Sequence, residues 1–437
     1  MVAQPNPLPA DHALRAELAN EVHARPQEAL VAPLRASSIA ILVDAADRAL
    51  EHAHVARLCE AHGAAPPPEE AIHFTAALGA FRLRWERHTE FSSYTFYRDG
   101  LGPARFAETA ASAVPPDWLA AIPGRTLAAA HAEMLERGTP MPPAREIAAA
   151  FEGNYVLGSD VGGGAAAAFT DFRIHGDGFG RFLLFDRSLS RFQAGRTLQR
   201  LFEIDVYRMM ALLALPVARE AAPKLARMER ALAALAADLA RDSGQDEMLL
   251  DQLTRLSAGV ESEIAASRYR FGAARAYSEL VEARLAELRE ARLPGTQMLG
   301  EFMARRFTPA MRTCESVSRR LLELSERVAR ANSLLAARVD VAHERQNQQL
   351  LASMDRRARL QLRLQETVEA FSVAAITYYL VGLVGYAAKA LKAAGLPIDP
   401  EITPGIAITI VAVIAALGVR HVRRTIREAD IERAPLD

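Results

Sequence analysis

Phe371-Ser-Val-Ala-Ala-Ile-Thr-Tyr-Tyr-Leu-Val-Gly-Leu-Val-Gly-Tyr-Ala-Ala388 carries no charge, and Lys389 is the first ionisable cation to follow it. A second uncharged stretch, Ile406 to Val419, comes after a short Pro/Gly turn. A helix rises about 1.5 Å per residue, so about 20 apolar residues cross the ~30 Å hydrocarbon core of a bilayer. The first stretch meets that length. The second reaches it only if Ile402 to Gly405 join it or the bilayer thins locally. The pair reads as a transmembrane hairpin over 371–419; a helical hairpin buried in a soluble core is the alternative for the same residues.

The flanks set an orientation. Arg356, Arg357, Arg359 and Arg363 precede the first span, and Arg420, Arg423, Arg424 and Arg427 follow the second. The loop from Lys392 to Gly405 sets one Lys against Asp399 and Glu401. Positive residues stay on the cytoplasmic side, so both termini are expected inside and the loop outside. Of Tyr378, Tyr379 and Tyr386, only Tyr386 is placed well for an interfacial belt.

The whole chain has 437 residues, half of them hydrophobic, and a formal net charge of −1. Two or three domains fit that length, and the balance of charge gives no support for nucleic acid as a partner. Cys59 and Cys314 lie far apart, which excludes a disulfide scaffold and fits a reducing compartment. Met1 to Asp11 is Pro-rich and has no apolar run of the secretory type, so the bulk of the protein is expected to stay inside.

Upstream of the hairpin the pattern changes twice. Residues 1–10 read as a disordered tail, and 11–190 as a cytoplasmic α+β domain with a mostly antiparallel sheet. Asp11 caps a short helix with Leu14, Leu18 and Val22 as its stripe, ended by Pro26. Strands are expected at Ser37–Val43, Ile72–Ala77, Phe81–Arg87, Phe91–Tyr97, Tyr155–Val161, Ala165–Ile174 and Phe182–Asp186. Helices are expected at Ala45–His62 and Ala144–Phe151, with a helical turn at Asp117–Ala121; Thr126–Leu135 suits either strand or helix. Residues 191–295 read as a helical domain: Arg196–Leu215, Val217–Ala240 and Asp246–Arg292, with breaks at Pro216, at Asp242-Ser-Gly244 and at Pro294-Gly295. Residues 296–370 read as a long stalk. Thr308 caps it with Pro309 at its first position. Cys314, Val317, Leu321, Leu324, Val328, Ala331 and Leu335 follow at the 3-4 spacing of a coiled-coil seam. Unbroken, Pro309 to Lys389 would span roughly 120 Å. Residues 420–437 form a basic cytoplasmic tail.

Few residues suggest chemistry. In Trp85-Glu-Arg-His-Thr-Glu90, Glu86, His88 and Glu90 alternate, so on a strand they project from one face and suit a divalent cation or a proton shuttle; the bland reading is a polar outer face. Asp171, Arg173, His175 and Asp177 alternate in the same way. Gly158-Ser-Asp-Val-Gly-Gly-Gly164 lacks the Lys-Ser/Thr ending of a nucleotide loop and is better read as a turn. His12 and His23 lie too far apart in sequence for a local ligand pair. There is no nucleophile elbow, zincin motif or zinc-ribbon spacing, so an enzyme is not the favoured reading and no cofactor is indicated.

Leu14-Arg-Ala-Glu-Leu-Ala-Asn-Glu-Val-His-Ala-Arg-Pro26, Trp85-Glu-Arg-His-Thr-Glu-Phe91 and Thr170-Asp-Phe-Arg-Ile-His-Gly-Asp-Gly178 resemble the signature stretches of an uncharacterised bacterial family of predicted membrane-anchored proteins. The resemblance covers essentially the whole chain and implies attachment to the inner membrane without a known activity. The layout of inner domain, stalk, two spans and basic tail is also similar to the CorA-type metal-ion channels. Those carry a Gly-Met-Asn signature, and Val381-Gly-Leu-Val-Gly-Tyr-Ala-Ala-Lys389 here does not; Lys389 would repel cations at an outer mouth. The reading is therefore a membrane-anchored structural, sensory or interaction protein, with a CorA-like oligomeric channel as the alternative. The bilayer is its expected partner, with self-association through the stalk and first span. Gly382 and Gly385 permit close helix contact there, and Thr377, Tyr378 and Tyr379 would line a pore.

Overall fold

The computed structural model describes residues 11–16, 18–19, 28–241, 245–395, 397 and 399–431. The expected tail at 1–10, Val22, His23 and Pro26 of the first helix, the break at 242–244 and the last residues of the basic tail, 432–437, lie outside them. The chain divides after Ser333 into two compact units.

The first unit is built on one sheet. Its described strands are β1 (Leu34–Leu42), β2 (His73–Ala77), β3 (Arg82–Arg87), β4 (Phe91–Asp99), β5 (Arg125–Leu135), β6 (Leu157–Val161), β7 (Ala166–Thr170), β8 (Gly180–Asp186) and β9 (Ala291–Arg292). Their order is 2-3-4-1-5-8-7-6-9. Every neighbouring pair is antiparallel except β5 and β8, which run parallel. The sheet is thus mixed rather than simply antiparallel, because the chain makes the β6–β7 hairpin before returning beside β5. The stretch that suits strand or helix is β5: its alanines favour a helix, but pairing with β1 and β8 on both sides overrides that weak preference.

Helices cover both faces. Along β8, Leu183 and Phe185 point to the core that holds Ile147 of α3 (Ala144–Ala150) and Phe151 just after it. Phe182 and Leu184 point the other way, to Leu198, Leu201 and Phe202 of α4 (Arg191–Leu212). The same period of two puts Leu83 and Trp85 of β3 against Val55 and Leu58 of α1 (Arg48–Ala61). The expected turn at Asp117 is α2 (Pro116–Ala120). A capping box of Ser190 and Gln193 starts α4. Gly195 lets α4 lie against the segment before β1: a Cβ there would sit 1.9 Å from the Glu28 carbonyl oxygen.

α5 (Ala214–Ala240) and α6 (Asp246–Leu288) follow. α6 ends short of Arg292, because Arg289 takes a left-handed conformation at φ 46° and Ala291–Arg292 pairs with β6 as β9. A short α7 (Leu299–Arg306), which the sequence reading leaves inside the stalk, precedes α8 (Thr308–Ala393). Of the expected seam, Cys314, Val317, Leu321, Leu324 and Val328 are buried within the first unit and Ala331 is half-buried; Leu335, also buried, belongs to the second unit. Arg320 pairs with Glu229 of α5 at 2.7 Å, and Ser325 donates to Glu261 of α6. That part of the seam is therefore satisfied by α5 and α6.

The second unit, from Leu334, holds the rest of α8 and α9 (Ile402–Ile431). Both helices contain a stretch long and apolar enough to cross a membrane, and almost none of either stretch is buried. Among the described residues from Phe371 onward, Ala388 and Ala415 are the buried apolar side chains.

Candidate functional site

A cavity of about 230 Å³ lies between the sheet and α4 in the first unit. The alternation that buries Leu83 and Trp85 turns Arg84 and Glu86 to the opposite face, toward α4. Ser93, Thr95 and Tyr97 of β4 and Ser38 of β1 complete the sheet wall. Gln199, Phe202, Glu203 and Tyr207 come from α4, and Arg284 from α6.

Two ion pairs frame the cavity. Arg84 donates to Glu86 at 2.8 Å, both nearly buried. Arg284 pairs with Glu203, joining α6 to α4. Burial works against both guanidinium charges, yet Glu86 beside Arg84 and Glu203 beside Arg284 carry each pKa above its ordinary value. Burial also lifts the Tyr97 phenol, with Arg84 opposing, so this hydroxyl stays protonated. The lining offers charged donors, carboxylates and hydroxyls between aromatic walls, a set that can hold a small polar molecule.

Of the three residues singled out as a cation set, Glu86 and His88 both line this cavity, with Phe91 beside them, whereas Glu90 does not. β3 stops at Arg87, and His88-Thr-Glu90 forms the turn into β4, closed by the His88 N–H donating to the Phe91 carbonyl at 2.8 Å. They therefore share no strand face. Glu86 is committed to Arg84, Glu90 pairs with Arg270 of α6 at 2.8 Å, and the His88 ring stacks on Phe91 with centroids 4.3 Å apart. Among the described residues no three His, Cys, Asp or Glu side chains are gathered so as to hold a metal ion.

The expected strand at Ala165–Ile174 ends at Thr170, so Asp171, Arg173, His175 and Asp177 do not alternate on a sheet. Phe172 adopts φ 49° and turns the chain. His175 is buried between Asp171, at 3.0 Å from its Nε2, and Glu152, at 3.2 Å from its Nδ1. Arg181 reaches the same Glu152 at 2.9 Å.

A second buried histidine went unread in the sequence. His131 on β5 shares a 2.8 Å hydrogen bond with the Ser37 hydroxyl on β1, while Asp177 lies 3.7 Å from its Nε2. The order Ser, His, Asp resembles a nucleophile with its base. However, Ser37 has no exposed surface and its oxygen accepts the Ala111 N–H at 3.0 Å. The arrangement ties strands together and offers a substrate no approach. Period-two reading marks Ser37 and His131 as inward-facing; their pairing across β1 and β5 needs the register.

In the second unit, the Thr377 hydroxyl donates to the Val373 carbonyl of its own helix at 2.7 Å. Tyr378 and Tyr379 are exposed, their rings edge to face at 5.8 Å. Gly382 has open space around it, whereas a Cβ at Gly385 would touch Pro404 of α9 at 3.6 Å. That is an ordinary contact distance, so the two helices would accept a methyl group there.

The family model described as protein of unknown function, DUF3422, matches residues 10–426. The chain belongs to that family. No curated protein and no solved structure matches it. The likeness to CorA-type channels accordingly remains one of layout, unsupported by either comparison.

Proposed function

We propose that this protein is anchored in the inner membrane by α8 and α9 and presents its α+β head on the cytoplasmic side, in a structural, sensory or interaction role. One observation carries the reading: the large apolar side chains of both helices face outward. Phe371, Tyr378, Leu383, Ile406, Ile414 and Leu417 are each more than half exposed. Side chains of this kind gain roughly 1.5–3 kcal/mol each on leaving water, and a bilayer supplies that environment. Arginines outside the two spans and an almost neutral loop between them support inward termini.

The reading is tested on membranes from cells making the full chain. It requires that the protein stay in the pellet through an alkaline carbonate wash and leave it in detergent; release by carbonate alone overturns it. Cys59 and Cys314 are buried, so introduced cysteines report cleanly. Ala394→Cys should react with an impermeant maleimide from outside, and Arg356→Cys only after lysis.

A further inference from the structure

α8 carries a second seam, distinct from the one satisfied by α5 and α6. None of the side chains from Leu350 to Phe371 is buried. Leu350, Met354, Leu364, Val368 and Phe371 are 55–73% exposed. With Arg357 and Gln361 between them, they recur at spacings of 4-3-4-3-4-3, which is the d and a rhythm of a heptad. Carried on at the same spacing, the rhythm meets Ala375, Tyr378 and Gly382 in the apolar stretch.

The charges respect the same rhythm. Of the seven ionisable residues between Leu350 and Phe371, six fall at the outer b, c and f positions: Asp355, Arg356, Arg359, Arg363, Glu366 and Glu369. Asp355 and Arg359 pair with each other on that outer side at 2.7 Å. The e and g positions next to the seam are Leu351, Ser353, Ala358, Leu360, Gln365 and Thr367, without a charge. Arg357 is the exception, a polar residue at a core position of the kind that fixes register, its alkyl stem packing along the seam. Leu362 falls at an outer position and takes no part.

We infer that the stretch Leu350–Phe371 is where copies of this chain pair, as a parallel, in-register coiled coil leading into the first span. A heptad face is complementary to itself, and here it is bordered by uncharged residues and backed by charged ones. The parallel sense rests on the membrane-anchor reading: hairpins inserted with the same orientation force their helices to run the same way. Gly382, inside the first span, leaves open space in which two copies can approach closely.

The test uses the full-length chain in native membranes. Leu350→Cys and Leu364→Cys, both at d positions, bring equivalent residues within disulfide reach in a parallel pair, while Arg359→Cys points away. After oxidation with copper phenanthroline, the two seam variants should run as covalent dimers on a non-reducing gel, at least tenfold more than Arg359→Cys. Equal cross-linking from both faces, or none from the seam, overturns the inference. Leu364→Glu combined with Val368→Glu should reduce the light-scattering mass in detergent to that of one chain; an unchanged mass also overturns it. A carbonate wash of the same membranes separates the two readings. Seam-specific dimers on washed-off protein would sink the anchor and keep the seam; retained protein with no seam dimers would do the reverse.

Discussion

Glu51 gives the sharpest test of how the head holds together. Its carboxylate has no exposed surface and sits between α1 and the sheet. The Trp85 indole donates to it at 2.9 Å and the Tyr94 hydroxyl at 3.1 Å, and the Arg87 guanidinium approaches at 3.4 Å. Trp85 and Tyr94 are themselves fully buried. Glu51→Leu keeps most of the volume and removes every acceptor. Two neutral donors are orphaned at about 1–3 kcal/mol each; Arg87, only partly buried, loses its carboxylate but keeps the Arg48 carbonyl at 3.1 Å, so its share falls below the cost of breaking a fully buried pair. The three losses share one carboxylate and do not add, so the expected total is about 4 kcal/mol, a large part of the ~5–15 kcal/mol that holds an ordinary domain folded. Both neutral donors meet the same Oε1, so Glu51→Gln keeps an oxygen for both, loses the charge facing Arg87 and should cost about 1–2 kcal/mol. Guanidinium unfolding of the full chain in detergent reads this directly, with Trp118→Phe as background so that Trp85 emission reports the core. A Glu51→Leu protein within about 1 kcal/mol of its parent, or a Gln variant as damaged as the Leu one, would refute this account.

The remaining expectations are shorter. Burial holds the His131 imidazole down to about 4, with Asp177 opposing, whereas the unfolded chain titrates near 6.5. The unfolded chain therefore takes the proton first: the stability due to the neutral ring is complete above about pH 6.5 and is lost as pH falls toward 4, on the order of 3 kcal/mol. Urea midpoints at pH 7 and pH 5 should separate in the parent and draw together in His131→Gln. Gly195→Ala drives a methyl into the Glu28 carbonyl and should cost about 1–3 kcal/mol, read as a lower thermal midpoint. Burial pushes the Cys59 and Cys314 thiols up, so neither should react with a disulfide reagent at pH 8 until the protein is unfolded. On the membrane-anchor reading, Ile410→Arg places a charge in the middle of the proposed second span at about 2.5–3.5 kcal/mol, and the carbonate-resistant fraction should fall sharply.

Period and punctuation made most of the fold legible. Phe81 to Arg87 alternates in sequence, and in space Phe81, Leu83 and Trp85 enter one core while Arg84 and Glu86 face the cavity on the other side of the sheet. The strand boundaries at β4 and β8 and the helix starts at Ala144 and Thr308 fall within a few residues of their expected places. What local pattern cannot carry is partnership at long range. Glu86, His88 and Glu90 look like one set because they are two apart, but β3 ends between the first and second, and Arg84 and Arg270 claim the two carboxylates. Arg270 lies 180 residues from Glu90, beyond the reach of any sequence window. The cavity has the same origin: Arg84, Glu203 and Arg284 meet only once α4 and α6 are laid over the sheet.

α8 shows how one periodicity can conceal two structures. Both Cys314–Val328 and Leu350–Phe371 keep a 3-4 rhythm, and by spacing alone they are equivalent. The first is buried under its own chain; the second is exposed on every side. A seam reports that an apolar stripe needs a partner and is silent on whether that partner is covalently attached. The difference appears in the flanks. Arg320 meets Glu229 of α5 beside the first seam, whereas beside the second Asp355 and Arg359 satisfy each other on the outer face. The second stripe stays exposed within its own chain, and the pairing inferred above would cover it with a second copy. If the membrane anchor proposed above holds this helix in one orientation, a second copy of the chain is the partner that would present the matching stripe at the matching height.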